Sequence, residues 1–399
     1  MKKLIGAYGI FLVLLWVYFG WFYEVDTYVD SRYAAYRHAY SFTVLTFPWI
    51  VLLAFILSGW HKGMLSRIEN RLKRRWIQSF SFGLILMAVI QLLSLPLDAL
   101  GFAMSKNADI SNQPVLDWIV EWSIQSGFFI VMVAVLITVF RSLIRKFPNR
   151  WWLVLWLISL PIAFFIIYVQ PIWIDPLFED FTSLESGGLK DSIVELAGEA
   201  GIDENHIYQV NMSEKTSTYN AYVTGIGAQK RIVLWDTMLT GMSQNEVLFI
   251  LAHEIAHYVK HHVYIGVAGY VLLSFVLLWS LSALYSVLYR NAHDRLQLRD
   301  RSDLRAVPVL LLLVTLLMFV TQPINLYVSR YMERSADRYA IDHTENLQPA
   351  LESYQALARE SKSDLSPSNW IVWLRYTHPP LGERIERIRT EMMEREQGD

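Results

Sequence analysis

The chain has 399 residues, 54% of them apolar and 18% charged, with a net charge of −2. Such a composition, with long apolar runs recurring, is that of a polytopic membrane protein and excludes nucleic acid as a partner. There is no cysteine, which removes disulfides, Cys-ligated zinc, iron–sulfur clusters, a cysteine nucleophile and lipidation of the chain on cysteine.

Met1-Lys2-Lys3 leads into an apolar run that continues through Phe22 with bulky aromatics and no small-residue cleavage site. It reads as a first membrane span, not a signal peptide. Seven stretches approach the roughly 20 residues that cross a bilayer: 4–22, 42–57, 82–97, 127–143, 151–169, 263–285 and 306–327. Pro161 and Pro323 lie inside spans and predict kinks, the freed carbonyls being satisfied by neighbouring helices. Trp60, Trp76, Trp151 and Trp152 sit at span ends, as an interfacial belt requires. The linkers differ in charge. Segment 60–76 holds Lys62, Arg67, Arg71, Lys73, Arg74 and Arg75 against Glu69, and 141–150 and 290–305 are also basic. Segment 98–125 instead carries Asp98, Asp109, Asp117 and Glu121. The basic runs read as juxtamembrane positive-inside charge.

Linker 170–262 is too long to be a loop and predicts a small soluble module. An amphipathic helix is expected at 189–200, strands at 207–212, 219–223 and 231–235, and a turn at Gly225-Ile226-Gly227. Ser243-Gln244-Asn245-Glu246 is a capping box that opens the next helix, and His253-Glu254-Ile255-Ala256-His257 stands near that helix's end. On a helix His253 and His257 are one turn apart and share a face, so their imidazoles can hold one Zn²⁺. Glu254 is placed to take a proton from the water that such a metal activates.

A catalytic zinc takes three protein ligands and leaves a fourth position open. A third histidine in the metzincin pattern would need Gly at 260 and His at 263, where this chain has Lys260 and Val263. His261 and His262 drift around the helix and read as interfacial or structural. Glu333, in the segment 329–337 that emerges from the last span, is the better third ligand. The short basic linker between the last two spans lets the two helices meet. Asp337 follows Glu333 by one turn on the same face, placed to accept the other N–H of a ligating histidine and fix its tautomer. The remaining tail, 330–399, reads as mostly helical.

These segments together resemble the M48 peptidases, and within them the integral-membrane type I CAAX prenyl proteases. The resemblance rests on Asn220-Ala221-Tyr222, on 230–237, on His253–His257, on 329–337, on Thr377-His378-Pro379-Pro380 with Arg384, and on Pro176-Leu177-Phe178 after the fifth span. It implies His253, His257 and Glu333 as zinc ligands, Glu254 as general base and Asp337 behind a ligand. It also implies His378 and Arg384 at the substrate carbonyl or oxyanion, where a donor stabilises negative charge. Asn220, Ala221 and Tyr222 would lie on an edge strand that pairs with an extended peptide. Taken alone, His378 would be a turn residue before two prolines and Arg384 a solvated helix face. Eukaryotic members are longer, and this compact chain points to a prokaryotic cell membrane.

The fold expected is a mainly α-helical polytopic membrane protein, about seven transmembrane helices with a small α+β zinc-protease module. It divides into a five-span region (1–170), a soluble catalytic module (171–262), a two-span hairpin (263–328) and a C-terminal helical segment (329–399). The function expected is a zinc metalloendopeptidase with one Zn²⁺ per chain, acting on a peptide or protein that is prenylated or membrane-associated. CAAX processing and a quality-control or peptide-clearing role without prenyl specificity are both compatible. A transporter would need ionisable groups inside the spans, which are almost free of them, and an inactive scaffold would have no use for Glu254. Two arguments on sidedness disagree. The basic linkers put the N-terminus in the cytoplasm and, with seven spans, the zinc module outside; the eukaryotic members of the family work on the cytosolic side.

Overall fold

The computed structural model describes all residues except 178, 200, 226–229 and 399. Phe178 and the Ile226-Gly227 part of the predicted turn therefore lie outside the described residues. In chain order the membrane region comprises α1 (Lys2–Val17), extended by a π-helical turn to Phe22, then α2 (Tyr33–Ser58), α3 (Trp60–Arg71), α4 (Arg75–Asn107), α5 (Val115–Lys146) and α6 (Trp151–Val169). Among the described residues six helices, 21 to 39 residues long, are long and apolar enough to cross a membrane, and α6 is a shorter apolar helix. The helices outrun the predicted spans because hydropathy marks only the part inside hydrocarbon. A helix satisfies its own backbone and continues unbroken into the interface. Large apolar side chains such as Leu92, Phe128, Leu272 and Val320 stay exposed on the outer surface, as lipid-facing positions do.

The linkers sort onto two faces. On one, α3 packs against α4 through the buried residues His61, Met64, Leu65 and Ile68. Lys62 there donates to Gln297 Oε1 at 3.4 Å, and Arg299 pairs with Glu69 at 2.9 Å. The opposite face carries the polar module built around the sheet. Residues 108–114 join it where Asn112 N–H donates to the Lys215 carbonyl and Ser217 N–H to the Ile110 carbonyl, each at 3.0 Å. The 23–32 linker joins it where Leu365 N–H donates to the Asp26 carbonyl at 2.7 Å.

The module holds a four-stranded sheet in the order β1-β2-β4-β3, with β1 (Phe181–Ser183), β2 (Ile207–Val210), β3 (Ala221–Thr224) and β4 (Arg231–Trp235). The β2–β4 pair is parallel and the other two are antiparallel, so β3 is an edge strand, with Ala221 opposite Leu234. β1 was not foreseen, since three residues are too few to show alternation. β2 stops before Asn211 because Asp236 takes over the backbone there, accepting from the N–H groups of Met212 and Ser213 at 2.8 and 2.9 Å. Four helices follow β1 and β4: α7 (Gly188–Glu199), α8 (Asp236–Gly241), α9 (Gln244–Val259) and the long α10 (His262–Leu296). Then come α11 (Val307–Asp342), α12 (Gln348–Glu360), α13 (Asn369–Arg375) and α14 (Leu381–Gly398). Ile193, Ile207, Ile232, Phe249, Tyr354 and Ile388 share one buried core. The polar segments before and after the two-span hairpin thus fold against each other.

Candidate active site

The site is assembled where α9 and α11 meet, with α12 and α14 closing behind them. α9 begins at its capping box, where Glu246 accepts the Ser243 N–H at 2.7 Å, and this fixes the phase in which His253 and His257 emerge. α11 leaves the membrane and brings Glu333 and then Asp337, one turn apart, onto the same side. His253 Nε2 lies 3.1 Å from Glu333 Oε2, His257 Nε2 lies 3.3 Å from His253 Nε2, and His257 Nε2 lies 3.6 Å from Glu333 Oε1. Each of the three residues offers one donor atom within 4.8 Å of the others. Ligand bonds of about 2.0–2.1 Å around a tetrahedral Zn²⁺ require ligand-to-ligand separations of roughly 3.3 Å. The donor set, two imidazoles and a carboxylate, therefore fits zinc in chemistry and in spacing.

Asp337 organises what stands behind His253. Its Oδ1 is 2.8 Å from His253 Nδ1, which leaves Nε2 turned toward Glu333. Arg384, near the start of α14, donates from Nε to Asp337 Oδ2 at 3.0 Å and from Nη2 to Oδ1 at 2.5 Å. Tyr354 donates to the same Oδ1 at 2.7 Å and accepts from Arg384 Nη2 at 2.6 Å. Gly382 permits the approach of α14, since a Cβ there would overlap the Leu365 carbonyl oxygen. Burial disfavours a charged imidazole at His253, but the contacts with Asp337 and Glu333 outweigh it and push its pKa up to about 9. A cation entering this site must therefore displace a proton. Burial also pushes Glu254 up, against the opposing pull of His253, to about 7. That is the range in which a carboxyl both takes and returns a proton at neutral pH.

Glu254 lines a cavity of about 290 Å³ together with His253, Asn220, Ala221, His378 and Arg384. His378 Nε2 is 3.2 Å from Glu333 Oε1. Asn220 is exposed at the start of β3, and its carbonyl accepts the Trp235 N–H at 3.1 Å. Tyr222 is half-buried on β3, two residues on from Asn220. Of the residues singled out from the sequence as ligands, base, oxyanion donors or peptide strand, all but Tyr222 lie on these walls or one contact behind them; Tyr222 points to the other face of the sheet, where it packs with Val210, Met212 and Val233. Arg384 is 8% exposed and engaged with Asp337, so it is not a solvated helix face.

One contributor, Tyr354, was missed, and His262, read as interfacial or structural, reaches the site by a different route from the one expected. His262 does not drift around a continuous helix, because α9 ends at Val259 and His261 takes φ +59°. The chain restarts at His262, whose Nδ1 returns to 3.2 Å from His257 Nδ1. The polar pair at 260–261 between two apolar helices was the readable signal. Tyr354 gave none, since nothing local marks a tyrosine on an amphipathic helix as the partner of a carboxylate on another.

The family model described as peptidase family M48 matches residues 183–392. Residues 24–180 match the one described as CAAX prenyl protease N-terminal, five membrane helices. The chain is similar to the uncharacterized metalloprotease YhfN of Bacillus subtilis, 36% identical over 98% of this chain and 97% of that one. It is also similar to CAAX prenyl protease 1 of Saccharomyces cerevisiae, 28% identical over 78% of this chain and 72% of the relative. The crystal structure of S. mikatae Ste24p shares the fold, with a TM-score of 0.77 over 96% of this chain and 97% of that one, at 23% identity.

Proposed function

The chain belongs to peptidase family M48, as an integral-membrane metalloprotease similar to the CAAX prenyl proteases, and from that premise we propose that His253, His257 and Glu333 hold one Zn²⁺ beside Glu254 as general base. The observation that supports this reading is the convergence of three donor atoms within 4.8 Å of one another at the wall of a cavity that Glu254 also lines. Bound there, Zn²⁺ supplies Lewis acidity to water and to a peptide carbonyl. Glu254 takes the proton as the water oxygen adds to the carbonyl carbon, then passes it to the leaving amine. His378 and the positive charge of Arg384 face the oxygen on which negative charge develops. Asp337 and His262 hold the two imidazoles from behind, each on an Nδ1. The free side of β3, with Asn220, Ala221 and Tyr222, receives an extended peptide by strand addition.

Metal content tests the ligand set. The purified chain is expected to hold about one zinc, by the three-ligand rule, and Glu333→Ala is expected to lose both metal and activity. Elemental analysis showing full zinc in Glu333→Ala but not in His262→Ala would replace Glu333 as the third ligand.

The relatives named CAAX prenyl protease 1 make prenylated C-terminal peptides the first substrate class to try here, and unmodified membrane-associated peptides the second. Chelator-sensitive cleavage of farnesylated but not unmodified peptides assigns the first, and equal cleavage of both assigns the second.

For sidedness we propose a prokaryotic cell membrane with the catalytic module facing away from the cytoplasm. The basic linkers 60–76 and 290–305 meet each other on the face opposite the module, where the charge rule puts the cytoplasm. Alkaline phosphatase fused after residue 399 is expected to be active and green fluorescent protein fused there dark; the reverse pattern puts the site in the cytoplasm.

A further inference from the structure

A second charged cavity lies at the end of the spans opposite the catalytic module, between the start of α4 and the end of α5. It has a volume of about 330 Å³ and is lined by Arg75, Trp76, Ser79, Arg141, Arg145 and Lys146 among others. Gly83 fixes its width from below. A Cβ there would lie 2.8 Å from Ala134 Cα, so the two helices touch backbone to backbone one turn beneath Ser79. Arg141 reaches across the gap, donating to the Ser79 hydroxyl at 3.0 Å and to the Arg75 carbonyl at 3.3 Å, while its Nε is buried without a partner. α4 starts here with no capping side chain and no acid in its first turn. Its unpaired N–H groups therefore add partial positive charge to four cations.

No acid lines this cavity. Of the carboxylates whose field reaches Arg141, Glu69 pairs with Arg299, Asp303 with Arg305, and Asp300 accepts from Ser302. Among the described residues none of the four cations forms an ion pair with a carboxylate. Four cations and a bare helix N-terminus around one cavity repel one another unless an anion sits between them. Guanidinium forks suit phosphate oxygens, with two parallel N–H bonds to one group. Trp76, 57% exposed at the span's end, marks the depth as that of the headgroups. We propose that this cavity binds the phosphate group of an anionic phospholipid, held chiefly by Arg141 and Arg145, with Trp76 against the glycerol.

The test uses the full chain in a neutral detergent and reads its thermal unfolding. The probes are dihexanoyl phosphatidylglycerol, dihexanoyl phosphatidylcholine and inorganic phosphate. Phosphatidylglycerol is expected to raise the unfolding temperature in a saturable way, as a ligand of the folded state does. Arg141→Gln with Arg145→Gln is expected to weaken that effect, about fivefold for each cation removed. Should the change at half-buried Arg141 prevent folding, Arg145→Gln with Lys146→Gln, both at exposed positions, reads the same loss. Arg290→Gln with Arg295→Gln, in another basic linker, is expected to keep the full response. Equal midpoints in the wild type and the cavity variants overturn the site. An equal, variant-sensitive response to inorganic phosphate overturns the lipid as its source, and one to phosphatidylcholine overturns the requirement for net negative charge.

Discussion

Replacing Glu254 with Gln is expected to slow peptide hydrolysis by about 10²–10⁴-fold, the range of a positioned general base, while the protein keeps its metal. Glu254 is not one of the three residues whose donor atoms converge, so its loss leaves that set whole. Gln has the same shape and fills the same place between His253 and the cavity, so the fold gains no void. What it lacks is a carboxylate to receive a proton from water and return it to the amine. Single-turnover cleavage and elemental analysis on the same preparation decide the matter. Native-rate cleavage removes Glu254 from the mechanism. Activity lost together with metal makes it part of the ion's binding instead.

The legibility of this chain follows the range over which each signal acts. Spans were readable because apolar runs report a solvent, and the helix ends were not, because polar turns beyond the hydrocarbon carry no such constraint. The helix Trp60–Arg71 passed as a basic linker, although His61, Met64, Leu65 and Ile68 recur at helical spacing and are buried. Its charge concealed its period. The histidine pair was local, one turn of one helix, and so was the capping box that fixes its phase. Glu333 and Asp337 were reachable because their spacing repeats the same one-turn logic on a helix that had to lie nearby. The environment of Arg384 was not, since it depends on α12 and α14 closing over Asp337. The positions of His378, Asn220 and Arg384 could be named only through the resemblance, and sequence alone favoured bland roles for His378 and Arg384.

Asp337→Asn is expected to cost both stability and metal affinity. Arg384 donates to both oxygens of Asp337, at 3.0 and 2.5 Å, and His253 Nδ1 and the Tyr354 hydroxyl converge on one of them. An asparagine must turn its NH₂ toward one of these donors, and it no longer neutralises a guanidinium that is 8% exposed. Breaking a buried pair from one side costs about 3–5 kcal/mol, enough to lower the unfolding temperature by several degrees. The same change lets the His253 ring lose its orientation, for which a weakening of metal binding by about 10–100-fold is the usual measure. Tyr354→Phe separates the two effects. It removes one hydroxyl but leaves the carboxylate on both Arg384 and His253, so metal affinity is expected to stay near native with a stability loss of about 1–3 kcal/mol. Thermal unfolding of the apo forms and competitive chelator titrations read the two quantities independently. Native metal affinity in Asp337→Asn would show that His253 is held by the fold of α9 alone and that Asp337 serves only to balance Arg384.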